Sequence, residues 1–239
     1  MTTFVLVHGA WHGGWCWRRV AGPLREAGHT VYTPSLTGLG ERAHLIGPAV
    51  GLDTHIEDIA RLILVEDLSE VVLVGHSYAG QVVTGVADRL PDRIALRIHL
   101  DAFVPGDGDR ARDLLPEDVA HHWAESVAER GFGWLVPPRS LEVLGVTDPG
   151  DLAWLEPLLT PHPWLTYTQP LRLTGAADRV PAAYLGCTAW KDVFAGQREK
   201  AERLGWPVLT IGTGHEAMVT APDETVSALL KLAAETASG

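Results

Sequence analysis

The sequence has few of the features that mark metal-binding, secreted or membrane proteins. It contains two cysteines and two methionines in 239 residues, and the cysteines lack the spacing of metal ligands. We therefore expect Cys16 and Cys187 to be free thiols in a reducing cytoplasm. The first residues lack the basic stretch and long apolar run of a signal peptide, and later apolar runs are too short to cross a bilayer. We expect a cytoplasmic protein with no membrane partner.

Basic residues are also scarce. Nineteen lysines and arginines stand against thirty acidic residues, which gives a formal net charge of -11. An acidic surface repels the phosphate backbone of nucleic acids, so we expect no nucleic-acid partner. The hydrophobic content of 46% is enough to build one well-filled core. We predict a single domain over residues 1–239; the oligomeric state is open, and a homodimer is compatible with the sequence.

Short β-branched or leucine-rich runs alternate with longer amphipathic stretches, which is typical of a parallel sheet flanked by helices. The predicted strands are Thr3–Val7, Thr30–Thr33, Val71–Val74, Ile94–Leu100, Ala182–Gly186 and Val208–Ile211. The predicted helices are Val20–Ala27, Leu52–Val65, Ala79–Leu90, Val193–Leu204 and Pro222–Ala234. The predicted fold class is therefore α/β, with a mostly parallel sheet of about six strands.

This alternation stops from about residue 105 to residue 180, where prolines and tryptophans become frequent. A stretch of that length is rarely a structureless loop. We predict a small, helical cap insertion that covers the carboxyl ends of the strands, where open parallel sheets bind their ligands.

A nucleophile is predicted where the strand Val71–Val74 runs into Gly75-His76-Ser77-Tyr78-Ala79-Gly80. A serine at a sharp turn between a strand and a helix projects its hydroxyl clear of the sheet, and small neighbours let the backbones pass closely. Ser77 is the candidate nucleophile, and the Tyr78 amide is placed to bind a developing oxyanion. We expect His76 to have a packing or hydrogen-bonding role.

The general base is predicted in a glycine-flanked loop after the last strand. His215 combines that position with the loop and the flanking glycines, and a neutral imidazole there can accept the serine proton. The loop after the first strand has three glycines and no charge, so its Ala10 amide is the second candidate oxyanion donor. His8 and His12 are expected to brace this loop, and we assign no metal to them.

Five motifs occur in order along nearly the whole chain apart from the cap: FVLVHGAWHGGW (4–15), GLGER (38–42), GHSYAG (75–80), LDAFVP (100–105) and GHEAM (214–218). Together they resemble the small esterases of the α/β-hydrolase superfamily that are related to plant methylesterases and hydroxynitrile lyases, particularly their bacterial carboxylesterase-like members. The resemblance implies the α/β-hydrolase fold, catalytic roles for Ser77 and His215, and an oxyanion hole formed by the Ala10 and Tyr78 amides.

The resemblance also favours ester hydrolysis over cyanohydrin cleavage. The lyases of this group have a threonine at the position of Gly9 and a lysine at that of Glu216. Without that hydroxyl and that cation, a cyanohydrin loses its binding groups.

The acid of the triad departs from the family pattern. Members usually carry an aspartate a few residues beyond a Cys-Thr pair, whereas this chain has Trp190 at that position. Two candidates remain: Asp101 at the end of the strand Ile94–Leu100, and Asp192 on the expected loop but out of register. Either could instead be structural, Asp101 by accepting from loop amides and Asp192 as a helix N-cap. We favour Asp101, and the absence of any acid remains an alternative.

The predicted substrate is a small, uncharged ester with an aromatic portion. We expect an apolar pocket under the tryptophans, lined by Trp11, Phe103 and Trp164, with no obvious arginine clamp. The reaction needs only side chains and amides, so we predict no cofactor. A natural-product cyclase, an acyl-transfer or lyase enzyme, and a non-catalytic ligand binder are the alternatives that the sequence leaves open.

Overall fold

A computed structural model describes residues 1–191 and 193–236 of the chain. Its strands are β1 (Thr3–Val7), β2 (Thr30–Tyr32), β3 (Val71–His76), β4 (Ile94–Leu100), β5 (Leu135–Val136), β6 (His162–Pro163), β7 (Ala182–Cys187) and β8 (Val208–Ile211). Its α-helices are α1 (Arg18–Glu26), α2 (Leu52–Val65), α3 (Ala79–Arg89), α4 (Glu117–Arg130), α5 (Pro149–Leu155), α6 (Leu165–Thr168), α7 (Ala195–Arg203), α8 (Ala217–Thr220) and α9 (Pro222–Thr236).

Six strands form one parallel sheet in the order β2-β1-β3-β4-β7-β8. The central strands β1, β3 and β7 are almost entirely buried, which is why their sequences are continuous apolar runs rather than alternating ones. The register pairs His76 with Leu100, Leu100 with Leu185 and Cys187 with Ile211. The carboxyl ends of β3, β4, β7 and β8 therefore meet at one edge of the sheet. The α/β prediction is confirmed.

Helix α9, which flanks the sheet, begins where the local chemistry favours a helix start. In α9, Pro222 occupies the first position, and Asp223 and Glu224 place negative charge in the first turn. Leu229 and Leu232 of the same helix are almost fully buried, so one face packs on the core. Cys16 and Cys187 are both buried thiols that are not joined in a disulfide, as predicted.

Between β4 and β7 the chain leaves the sheet and forms α4, α5, α6 and the two-stranded antiparallel pair β5–β6. Asp88 of α3 fastens the returning chain, because its carboxylate accepts hydrogen bonds from the Thr174 and Ala177 amides at 2.8 and 3.0 Å. In the ranges 1–191 and 193–236, no helix combines the length and apolarity needed to cross a bilayer.

Candidate active site

Ser77 lies in the turn between β3 and α3, in the strand-turn-helix context that the sequence predicts. Its φ of 55° is in the left-handed region, which a serine occupies only under local constraint. A Cβ atom added to Gly75 would lie 2.7 Å from the Ala79 carbonyl oxygen, and one added to Gly80 would collide with the Phe103 backbone. Small residues are therefore required on both sides of the turn.

His215 and Asp101 are joined by a short hydrogen bond. Nδ1 of His215 donates to Oδ2 of Asp101 at 2.7 Å, and Oδ1 of Asp101 accepts from the Cys187 amide at 3.2 Å. The Asp101 side chain is fully buried, and its φ of 42° turns the chain away from the end of β4. Asp101, one of the two predicted acids, thus contacts the histidine; Asp192, the other, lies outside the described residues.

The His215 ring is packed against other rings. Trp190 and Phe194 lie 4.5 and 5.2 Å from it between centroids, the latter in a stacked arrangement. His76 lies 4.5 Å away, and its Nε2 donates to the His215 carbonyl oxygen at 3.0 Å. Burial, reinforced by His215, holds the pKa of His76 well below its usual value, so the His76 ring is neutral. His76 has the packing and hydrogen-bonding position expected from the sequence.

The loop after β1 is braced by two histidines, as predicted. His8 accepts from the Leu36 amide through Nε2 at 3.0 Å and donates from Nδ1 to the Gly9 carbonyl oxygen at 2.8 Å. Burial lowers the pKa of His8 to about 3, which keeps this neutral tautomer in place. His12 donates from Nδ1 to the Ala10 carbonyl oxygen at 2.7 Å. These bonds fix the course of the backbone beside Ser77.

The backbone amides of the two predicted oxyanion donors are not paired with any acceptor in the described part of the chain. Ala10 and Tyr78 are both buried, and within the described part of the chain neither amide N–H donates a hydrogen bond. Buried backbone donors are normally paired. These two are therefore available to an anionic oxygen beside Ser77.

A small pocket with a cavity volume of about 40 Å³ opens above Ser77 and His215. Its walls are largely aromatic and aliphatic. Besides the two site residues, the lining residues are Trp11, Phe103, Leu115, Val119, Trp123, Arg139, Leu144, Tyr167, Trp190, Val193 and Phe194.

Trp11 and Phe103 line this pocket as predicted, whereas the prediction for Trp164 is wrong. Trp164 stacks on Tyr167 at 5.9 Å between centroids, and the Arg112 guanidinium lies 5.8 Å from its ring. Trp164 therefore supports a wall residue without reaching the pocket. Composition alone could not show whether a cap tryptophan lines the pocket or packs behind a residue that lines it.

Several residues of the pocket wall were not predicted from the sequence, and one of them changes the expected charge of the substrate. Arg139 lines the pocket, contrary to the expectation that no arginine would do so. The ground for expecting an uncharged substrate is thereby removed. Two sequence signals could have identified further wall residues. Trp190 stands at the position usual for the acid, and Trp123 belongs to the tryptophan-rich cap.

One group of described residues could offer three atoms to a metal ion. Ligand atoms of His76, His215 and Glu216 lie within 4.8 Å of one another. One nitrogen of each ring is engaged, since His215 Nδ1 donates to Asp101 and His76 Nε2 donates to the His215 carbonyl oxygen, and Glu216 Oε2 lies 3.5 Å from His12 Nε2. These contacts pack the three side chains together, and we assign no metal to them.

Comparison with known proteins finds relatives over nearly the whole chain. Residues 4–228 match the alpha/beta hydrolase family. The chain is 40% identical over 247 residues to a carbendazim hydrolyzing esterase from Nocardioides sp. (strain SG-4G), covering 97% of this chain and 100% of that protein. It is 35% identical over 104 residues to methyl jasmonate esterase 1 from Vitis vinifera, covering 43% and 40% of the two chains.

A solved structure extends the comparison to the whole fold. An extracellular α/β-hydrolase from a Paenibacillus species, which shares structural and functional homology with tobacco salicylic acid binding protein 2, superimposes with a TM-score of 0.86 at 25% identity. The match covers 97% of this chain and 99% of that one. We conclude that this chain belongs to the α/β-hydrolase family.

Proposed function

We propose that this protein hydrolyses small carboxylic esters through an acyl-enzyme formed on Ser77. The observation that carries the proposal is the 2.7 Å bond from His215 Nδ1 to the buried Asp101, at a pocket that Ser77 also lines. A carboxylate in that position fixes the imidazole tautomer and stabilises the imidazolium. Relatives whose names identify them as esterases support ester hydrolysis as the reaction.

In the first half of the reaction Ser77 Oγ attacks the ester carbonyl carbon. Its proton passes to Nε2 of His215, which is the bare nitrogen because Nδ1 donates to Asp101. The negative charge that develops on the carbonyl oxygen is met by the Ala10 and Tyr78 amides. Collapse of the tetrahedral intermediate breaks the bond to the alcohol oxygen, and the imidazolium returns its proton to that oxygen.

In the second half a water molecule takes the place of the alcohol. His215 Nε2 accepts one proton from the water while its oxygen attacks the acyl carbon. The second tetrahedral intermediate collapses by breaking the bond to Ser77 Oγ, which recovers the proton from the imidazolium. The products are a carboxylic acid and an alcohol, and no cofactor is required.

Residues 105–180 act as the cap insertion of a single domain in this proposal. Leu115, Val119, Trp123 and Tyr167 come from this segment and form much of the wall opposite the sheet. Rings of this kind bind apolar faces and favour edge or offset contacts with other rings. The preferred ester therefore has an aromatic portion.

Cyanohydrin cleavage is a weaker candidate on steric grounds. A Cβ atom added to Gly9 would lie 2.9 Å from both His76 Nδ1 and Ser77 Cβ, so this site has no room for a side chain at the threonine position of the lyases. Glu216 is buried beside His12 and supplies no cation to the pocket.

The proposal is tested by turnover of p-nitrophenyl acetate and butyrate. We expect Ser77→Ala to remove a readily measured activity and to lose labelling by a fluorophosphonate probe, while the exposed Ser69→Ala retains both. Rapid quenching followed by mass spectrometry is expected to find the acyl group on the peptide that contains Ser77. Wild-type turnover no faster than that of Ser77→Ala would rule out simple ester hydrolysis.

A further inference from the structure

Arg139 is a cation in the pocket wall that has no partner among the described residues. It is half-buried, and burial lowers its pKa from the usual value. Within residues 1–191 and 193–236 it makes no hydrogen bond or ion pair. Arg110 and Arg112, by contrast, both lie within 3.5 Å of the Asp113 carboxylate. A partly desolvated guanidinium without a counterion is unfavourable unless a ligand supplies one.

The residues around Arg139 favour a negatively charged ligand. None of the described residues that line the pocket is acidic, although the chain has thirty acidic residues. A second cavity shares Trp123 and Arg139 with the pocket, and its described lining includes Arg130 and His122 but no carboxylate. The local charge is thus opposite in sign to the net charge of the protein.

The geometry of a guanidinium narrows the class of ligand further. Its planar fork matches a carboxylate with two parallel, charge-assisted hydrogen bonds, which are stronger than bonds to a neutral carbonyl. In a pocket whose other walls are largely apolar, such an interaction is less screened than on the surface.

We propose that Arg139 forms a carboxylate-binding subsite, so that the preferred substrates are aromatic esters that carry a free carboxylate in addition to the scissile ester. This inference deepens the proposed function and rests on it for the hydrolytic step. The subsite itself is a matter of binding and can be measured without turnover.

The binding experiment uses Ser77→Ala, which holds an ester without cleaving it. The ligands are monomethyl terephthalate, which carries the carboxylate, and methyl 4-carbamoylbenzoate, a neutral compound of nearly the same shape. Trp11, Trp123 and Trp190 line the pocket, so tryptophan fluorescence reports occupancy. We expect the acid to bind about tenfold more tightly or better at low salt, and the preference to shrink as salt is raised.

The variants assign that preference to one residue. Adding Arg139→Met to Ser77→Ala is expected to abolish it, and Arg139→Lys to keep only a part, because an ammonium lacks the planar fork. Arg110→Met removes the same charge from an exposed cap position and is expected to leave the preference intact. If Arg139→Met does not fold, Arg139→Lys and Arg139→Gln provide the same comparison.

Turnover of the same pair separates this inference from the proposed function. With Ser77 intact, the ratio of kcat/KM for the acid over the amide should fall about tenfold in Arg139→Met. Equal affinity for both ligands, or a preference that survives in Arg139→Met, would overturn the subsite. A binding preference without any hydrolysis would support the subsite and refute the esterase proposal.

Discussion

The two sides of the pocket are built on different principles. On the sheet side, Ser77, Asp101 and His215 sit at or beyond the ends of parallel strands, and Asp101 and His215 are almost completely buried. Trp11, Ser77 and Asp101 all have positive φ values, so the backbone there is strained and held by its surroundings. On the cap side the pocket wall is formed by rings, aliphatic side chains and Arg139, for which the described ranges contain no partner.

We expect the sheet side to carry out the reaction and the cap side to determine which substrates bind. A reacting geometry must hold within fractions of an ångström, and a sheet edge with buried hydrogen bonds provides that rigidity. The cap exposes a large apolar side chain to solvent, since Phe132, between α4 and β5, is 85% exposed. Changes on the sheet side should therefore alter kcat or stability, and changes on the cap side should alter substrate binding.

The largest expected effect concerns acid stability on the sheet side. Burial lowers the pKa of His8 and His99 to about 3 and that of His55 to about 4, whereas the unfolded chain takes up these protons near 6.5. Because the unfolded state binds protons first, the free energy of unfolding falls as the pH drops below about 6.5. Between pH 7 and pH 5 the three sites together should remove about 6 kcal/mol.

Urea unfolding followed by circular dichroism at pH 7, 6 and 5 measures this loss. The control is His121→Gln, at a side chain that is 75% exposed, and it should leave the pH dependence of the free energy of unfolding unchanged. A free energy of unfolding that stays constant down to pH 5 would show that these histidines are not kept neutral by the fold.

The next effect is on the acid beside His215. Asp101→Asn keeps the size of the side chain but can favour the wrong imidazole tautomer, so kcat should fall about 10³- to 10⁴-fold with little change in KM. Asp192→Asn is the matched comparison and should be mild. The measurement is steady-state hydrolysis of p-nitrophenyl butyrate by both variants. A larger loss of kcat in Asp192→Asn than in Asp101→Asn would show that Asp192 is the acid of the triad.

A smaller effect is expected from crowding the nucleophile. In Gly9→Ala the new methyl group would press on Ser77 Cβ and the His76 ring, each 2.9 Å from its position. Displacing the attacking hydroxyl by a fraction of an ångström should lower kcat about 100-fold. Gly22→Ala in α1 places its methyl group in open space and should instead raise stability by about 0.5–1 kcal/mol. Equal kcat values for the two variants would contradict a rigid sheet side.

The smallest effect belongs to the cap. Trp123 packs 4.9 Å from Tyr167 and 5.3 Å from Trp11, and its indole nitrogen has no hydrogen-bond partner among the described residues. Trp123→Phe should raise KM about fivefold, or about 1 kcal/mol, while kcat is kept. Trp206→Phe, outside the pocket, should change neither constant. A fall in kcat that matches the rise in KM would show that the cap also takes part in the chemistry.

The sheet side was largely predictable because its signals are local. Buried parallel strands are continuous apolar runs, and the predicted β1, β4 and β8 have the bounds that the structure gives them. The turn at Ser77 requires small residues within a few positions, and these are visible in the sequence. The bond from Asp101 to His215, 114 residues apart, depended instead on both residues lying at strand ends that meet at one edge.

The positions of the cap side chains could not be predicted in the same way. Apart from α4, the segment between β4 and β7 has short helices and two-residue strands, without a long periodic pattern that would orient each side chain. Trp164 and Trp123 are both cap tryptophans that pack on Tyr167, but of the two it is Trp123 that belongs to the described pocket lining. Arg139 lies in a proline-rich stretch whose path depends on the segments beneath it.

The sequence by itself determined the parallel sheet, its order of elements and the turns that carry Ser77 and His215, because apolar periodicity and small-residue turns act over a few neighbouring positions. Only the tertiary structure decided that Asp101 meets His215, that Trp190 packs on the base and that Arg139 faces the substrate pocket. Those contacts join residues far apart in the chain, and they depend on how the cap segment packs over the edge of the sheet.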